Sequence, residues 1–128
     1  MRIRVVAEVK PTEDHRKVLA AVSKIFPELK VDLREREGVI EVFGESDQLS
    51  VLGYMKENLR RRKVRAAAER IMWSRAGSNY IKLALSKHAA YVGTVSLLEE
   101  DEFPEIGCID VFVETDDPER LIKWLTAR

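Results

Sequence analysis

The chain has 128 residues, 45% of them hydrophobic, which is enough for one domain with a sizeable core. Its 22 basic and 22 acidic side chains cancel, so total charge favours neither a nucleic acid nor a cationic partner. Charged residues begin at Arg2 and no apolar run approaches about 20 residues, so we predict neither a signal peptide nor a membrane span. The single cysteine, Cys108, fits a reducing compartment and predicts a cytoplasmic protein.

The first part of the chain predicts a strand, a helix and a hairpin. Residues 2–10 alternate between apolar and charged side chains, as in a half-buried strand. Thr12 can cap a following helix, which Pro27 ends. Residues 31–43 alternate again on either side of a turn at Gly38, which predicts two paired strands.

The middle of the chain predicts helices. Ser46 is a suitable cap for a helix whose apolar positions extend to Leu59, and in which Gly53 costs about 1 kcal/mol relative to alanine. The run from Leu59 to Ala76 is basic and helical, and its apolar face leaves Trp73 on the opposite side.

The last part predicts three strands and a helix. Residues 80–85, 91–98 and 109–113 alternate, and an acidic loop at 99–105 separates the last two of these strands. Asp117 followed by a proline is typical of a helix start.

The order of these elements predicts the fold class. Consecutive strands with short links favour antiparallel pairing, and the helices need one sheet face to cover their apolar stripes. We therefore predict a single α+β domain over residues 1–128, with two layers and the helices on one face of a mostly antiparallel sheet. The 34% of charged residues and the single glutamine also predict an organism from a hot habitat.

The charges are separated along the chain into two blocks. Residues 56–88 hold ten basic and two acidic side chains, whereas residues 89–119 hold ten acidic and no basic ones. A basic block suits RNA phosphates, and Trp73 could stack on a base. The basic residues that we predict to contact RNA are Arg60, Arg61, Arg62, Lys63, Arg65, Lys82 and Lys87.

The opposed blocks also allow an alternative. They can neutralise each other within the fold or across a two-fold interface, which predicts a homodimer that binds no nucleic acid.

No motif predicts catalysis. Ser86, His88 and Cys108 are isolated candidates for a nucleophile and a base, and they fit equally a turn, a surface residue and a small apolar side chain. The acidic side chains lack the spacing of a calcium loop, and no paired-cysteine or glycine-rich phosphate motif occurs. We predict no enzyme, no metal site and no cofactor.

One segment resembles the signature of a small archaeal family, uncharacterised protein family number two hundred and one. In that signature a strand precedes Asn-Lys-Gln-Ala-Ala and then a glycine. Lys87, Ala89, Ala90 and Gly93 match it, whereas a serine and a histidine stand in place of the Asn and Gln. The resemblance extends to residues 106–109 and 122–125.

This resemblance implies a fold like that of ribosomal large-subunit protein five and kinship with archaeal proteins predicted to be RNA-binding exosome components. It implies no established activity. The expected function is an RNA-associated module without catalysis. The matched turn either offers Lys87 and His88 to a ligand or is a packing corner, in which Ala89, Ala90 and Gly93 allow close approach of the backbone.

Overall fold

The computed structural model describes residues 1–127, which form one antiparallel sheet with helices packed on one of its faces. The strands are β1 Arg2–Val9, β2 Asp32–Arg36, β3 Val39–Ser46, β4 Tyr80–Ser86 and β5 Cys108–Glu114. The helices are α1 His15–Ile25, α2 Gly53–Arg61, α3 Arg65–Ser74, α4 Lys87–Tyr91 and α5 Pro118–Leu125, and a 3-10 helix Leu49–Leu52 leads into α2. The predicted α+β class is confirmed.

The strand order in the sheet is β2-β3-β1-β5-β4, and every neighbouring pair is antiparallel. The central strand is β1, in which Val5 lies opposite Gly44 on one side and Val111 on the other. One sheet face and the apolar stripes of the helices form the core, whose fully buried members include Ile3, Val5, Val22, Ile25, Met55, Leu59, Met72, Ile109 and Ile122.

The helix starts differ in part from those predicted. Asp14, rather than Thr12, caps α1, and its carboxylate accepts a hydrogen bond of 2.9 Å from the Arg16 amide. The Ser46 hydroxyl accepts a hydrogen bond from the Gln48 amide, so it turns the chain before the 3-10 helix instead of capping α2. Asp117 caps α5 as predicted.

The prediction of one basic helix from Leu59 to Ala76 is wrong. The chain turns at residues 62–64, where Lys63 has a φ of 57°. Leu59 and Ala68 explain the break, because a continuous helix would point side chains nine residues apart in directions that differ by about 180°. Both are buried in the same core, and the turn makes that packing possible.

The predicted strand at residues 91–98 is also wrong. The Ser86 hydroxyl accepts a hydrogen bond from the Ala89 amide and starts the short helix α4. Gly93 follows with a φ of 77°, a left-handed conformation that glycine adopts without steric cost. Local capping and this turn therefore replace the strand that the alternating side chains suggested.

The segment after Gly93 covers the edge of the sheet instead of extending it. The Ser86 amide donates to the Ser96 carbonyl at 2.9 Å, and the Leu98 amide donates to the Ala84 carbonyl at 2.8 Å. A bridge between Leu85 and Leu97 joins the two segments. At the other edge of the sheet, four of the five residues of β2 are charged.

Candidate nucleic-acid interface

The structure places the seven predicted RNA-contacting residues in three separate regions. Arg60, Arg61, Arg62, Lys63 and Arg65 lie at the junction of α2 and α3, which we call the basic corner (residues 60–65). Lys82 lies on β4 and points away from the helices, on the sheet face that we call the open face. Lys87 lies in the interior, with 1% of its side chain exposed. The seven residues therefore cannot form one continuous surface.

Two arginines of the basic corner donate hydrogen bonds to backbone carbonyls of other segments. The Arg62 guanidinium donates to the Val95 carbonyl, and that of Arg65 donates to the Thr126 carbonyl at 3.3 Å. These bonds attach the corner to the segment after Gly93 and to the end of α5. Arg62 and Arg65 are thus partly committed to backbone oxygens.

The remaining cations of the corner face solvent. Arg60 forms an ion pair of 2.6 Å with Glu57, one helical turn earlier. Within residues 1–127, Arg61 and Lys63 form no ion pair, and both are exposed. These two side chains are therefore the ones best placed to contact phosphate.

The acidic loop at residues 99–105 lies beside α3. The Arg70 guanidinium contacts the Glu99 carboxylate at 2.7 Å and 3.2 Å, and these hydrogen bonds lower the pKa of Glu99 and raise that of Arg70. A groove of about 200 Å³ between the loop and α3 is lined by Arg62, Glu99 and Glu102 over an apolar floor. Part of the acidic block thus pairs with a cation of α3, whereas Arg61 and Lys63 have no acidic partner within residues 1–127.

Lys87 occupies the centre of a buried polar network. Its ammonium lies 2.8 Å from a carboxylate oxygen of Glu13 and donates to the carbonyls of Glu8 and Ile106, the latter at 2.5 Å. The Tyr91 hydroxyl donates to the other oxygen of Glu13 at 3.0 Å. This network joins the end of β1, the start of α1 and α4. Of the two interpretations of the matched turn, the structure supports the packing corner, and Lys87 is not available to a ligand.

The network shifts the acid–base properties of two members. Burial opposes ionisation of Glu13, but hydrogen bonds from Lys87, the Lys10 amide and Tyr91 outweigh it and lower the pKa of the carboxyl. Burial, followed by the hydrogen bond to Glu13, raises the pKa of Tyr91 to about 12. At neutral pH Glu13 is therefore a carboxylate and Tyr91 a neutral phenol.

The open face carries an aromatic group that the sequence did not reveal. Tyr80 and Phe112 stack with ring centroids 5.7 Å apart and an angle of 20° between the ring planes. The Arg4 guanidinium lies 5.5 Å, and the Lys82 ammonium 5.9 Å, from the centre of the Phe112 ring. Alternation along β4 indicates that Tyr80 and Lys82 point outward, but only the strand register shows that Phe112 lies between Arg4 and Lys82.

The isolated candidates for catalysis have other roles. Burial and the neighbouring Asp110 carboxylate raise the pKa of the Cys108 thiol to about 11, which keeps it protonated at neutral pH. The Ser86 hydroxyl caps α4, and His88 is exposed. No group of three or more His, Cys, Asp or Glu side chains within residues 1–127 is arranged to hold a metal ion.

A family model described as RNA binding matches residues 2–115. A UPF0201 protein of Saccharolobus islandicus is 32% identical over the whole chain and 88% of its own length. The chain belongs to the UPF0201 family. A second UPF0201 protein, from Pyrobaculum islandicum, is 30% identical over the whole chain and 90% of its own length, so the archaeal family identified from the signature is confirmed.

Solved structures of the UPF0201 family and its neighbours share this fold. The UPF0201 protein of Methanococcus jannaschii is 32% identical, with a TM-score of 0.83 over 100% of this chain and 94% of that one. A DUF54 protein of Archaeoglobus fulgidus is 23% identical, with a TM-score of 0.72 over 98% and 97% of the two chains, which shows a common fold alone. Within residues 1–127 of this UPF0201 chain, every helix is too short or too polar to cross a bilayer.

Proposed function

We propose that the protein is an RNA-binding module without catalysis. The observation that carries this proposal is the match of residues 2–115 to a family model described as RNA binding. The exposed basic corner supports it, because Arg61 and Lys63 have no intramolecular carboxylate partner within residues 1–127 and can displace the counterions of a phosphate backbone. Arg60, paired with Glu57, is a third exposed cation of the basic corner.

Salt-dependent binding to RNA tests the proposal. The probe is a fluorescent RNA with both a stem and an unpaired loop, titrated with the protein at several salt concentrations. Affinity should fall as salt rises, and Arg61→Glu with Lys63→Glu should reduce the slope of log affinity against log salt by about 1.5. A protein that does not bind at tens of micromolar at low salt would overturn the proposal.

A matched control variant separates the effect of the basic corner on RNA binding from the effect of net charge. Lys17 and Lys30 are exposed lysines on another part of the surface. The variant Lys17→Glu with Lys30→Glu changes the net charge by the same amount as the corner variant. It should bind RNA more tightly than the corner variant, and equal losses would show that the corner has no special role.

A homodimer that binds no nucleic acid is the second candidate. The observation in its favour is Phe103, 86% exposed in the acidic loop, close to the groove beside the basic corner. Adjacent patches of opposite charge suit a two-fold interface, because each patch then meets its complement on the partner. Light scattering at low and high salt tests it, with Phe103→Ser as the variant, and a monomer under both conditions would exclude it.

The setting proposed for this module is the cytoplasm of a heat-adapted archaeon. Its single free cysteine, Cys108, supports a reducing compartment. Ion pairs across the sheet, such as that between Arg2 and Glu45 at 2.5 Å, support adaptation to heat. Fractionation of cells from such an organism, with an antibody against the protein, tests the location.

A further inference from the structure

The open face of the sheet differs in chemistry from the basic corner. Its side chains are half-buried or exposed and include three aromatic rings, whereas the opposite face is packed against the helices. The half-buried rings are Tyr80, Phe112 and Phe43. Arg34 lies 4.2 Å from the centre of the Phe43 ring, so a cation accompanies this aromatic group as well.

The carboxylates of this face are largely paired within the protein. Arg4 contacts Glu114 at 3.1 Å, and Arg34 contacts Glu41 at 3.0 Å, with each partner on an adjacent strand. Lys82 forms no ion pair within the described residues and lies near both rings of the stacked pair, with its ammonium 5.9 Å from each ring centre. The face therefore offers π-surfaces and one cation, Lys82, that forms no ion pair among residues 1–127 but interacts electrostatically with the nearby Asp110 carboxylate, rather than a large positive field.

We infer that this face binds unpaired RNA bases by stacking, at a site separate from the basic corner. Aromatic side chains on an antiparallel sheet stack well on unpaired bases, and the stack tolerates any base because every base has a π-face. A duplex does not fit, because its bases are already stacked on each other. Lys82 would contact the phosphate next to a base stacked at Tyr80 and Phe112.

This inference rests on the proposed RNA binding and specifies that the open face binds single-stranded RNA. The corner contacts phosphates of any RNA and depends steeply on salt. The open face would select single strands and would contribute a salt-insensitive part of the affinity, because one cation releases few counterions. The two surfaces are on different layers of the fold, so variants of one can leave the other intact.

The test uses oligouridylate and a duplex of the same length, each labelled and titrated with the whole protein. The variant Tyr80→Leu with Phe112→Leu removes both rings and keeps apolar bulk, and Tyr80→Phe is the matched control that keeps the ring. The leucine variant should bind oligouridylate about tenfold more weakly at high salt, with an unchanged affinity for the duplex. Tyr80→Phe should match the parent protein for both probes.

A second measurement reports stacking directly. An oligonucleotide that contains 2-aminopurine should lose fluorescence on binding to the parent protein and keep it with the leucine variant. If the double variant does not fold, Phe112→Leu alone replaces it, after thermal unfolding has shown that this variant is native.

The outcomes separate the two proposals. In one outcome the leucine variants leave the affinity for oligouridylate and the quenching of 2-aminopurine unchanged, while the Arg61→Glu and Lys63→Glu variant weakens binding. This outcome would overturn the stacking site and leave the proposed function standing. A protein that binds neither probe would overturn both.

Discussion

The ammonium of Lys87 lies 2.8 Å from the carboxylate of Glu13, and the two side chains are 1% and 7% exposed. Their residues are 74 positions apart in the chain, and the pair joins the turn before α1 to the first residue of α4. Two further carbonyls complete the coordination of the ammonium, so the buried charge has hydrogen-bond partners in several directions. This arrangement is the internal anchor of the segment that matches the family signature.

Removal of one member of this pair should destabilise the protein strongly. Lys87→Met leaves the Glu13 carboxylate buried without its cation, and we expect a loss of about 3–5 kcal/mol in the free energy of unfolding. The double variant Lys87→Met with Glu13→Leu should lose less than the sum of the two single variants. Urea unfolding measures all three, and strictly additive losses would show that the two residues do not interact.

Tyr91 should make the protein sensitive to alkaline pH. Its pKa is raised from 10.0 to about 12, so the folded protein retains a phenolic proton that the unfolded chain loses. The stability from this group is complete below pH 10 and is lost as the pH rises towards 12. Tyr91→Phe should reduce the slope of unfolding free energy against pH in that window. Ultraviolet titration of the folded protein should show one of the three tyrosines ionising near pH 12.

Asn58 should be required for the conformation of the segment after Gly93. Its side-chain oxygen accepts a hydrogen bond of 3.0 Å from the buried Val95 amide, and its side chain is itself nearly inaccessible. Asn58→Leu leaves that amide without a partner, and we expect a loss of about 1–3 kcal/mol. Hydrogen exchange should show faster exchange of the Val95 amide. Protection equal to that in the parent protein would contradict this role.

Replacement of two glycines by alanine should change the stability of the protein in opposite directions. A Cβ at Gly44 would lie 2.8 Å from the Lys30 carbonyl oxygen and 2.9 Å from the Leu29 side chain, so Gly44→Ala should destabilise the protein by about 1–3 kcal/mol. Gly53 has helical φ and ψ and open space around it, so Gly53→Ala should stabilise by about 0.5–1 kcal/mol. Thermal unfolding of the two variants side by side checks both signs.

Local patterns predicted most strands and one helix start correctly. Alternation located β1, β4 and β5, and the proline after Asp117 marked the start of α5, because these features depend on residues close in sequence. The same reasoning failed at residues 91–98. There the backbone is set by the Ser86 cap, the left-handed Gly93 and the distant Asn58 side chain.

The candidate interface was only partly predictable for the same reason. The exposed cations Arg61 and Lys63 follow from charge clustering, which is visible in the sequence. The burial of Lys87 depends on a glutamate from the turn before the first helix, and the position of Phe112 between Arg4 and Lys82 depends on strand register. Such contacts carry no local signal, so the sequence alone does not distinguish a buried lysine near a turn from an exposed one.

The segment that hydrogen-bonds to the outer side of β4 has a consequence for the behaviour of the protein at high concentration. An uncovered strand edge is a template on which other chains can add, and charged residues protect β2 against this. The edge of β4 is instead protected by its own chain at Ser96 and Leu98. Cleavage near the exposed Val92 would therefore do more than loosen a loop, because it would release this cover and leave a strand edge on which other chains could add.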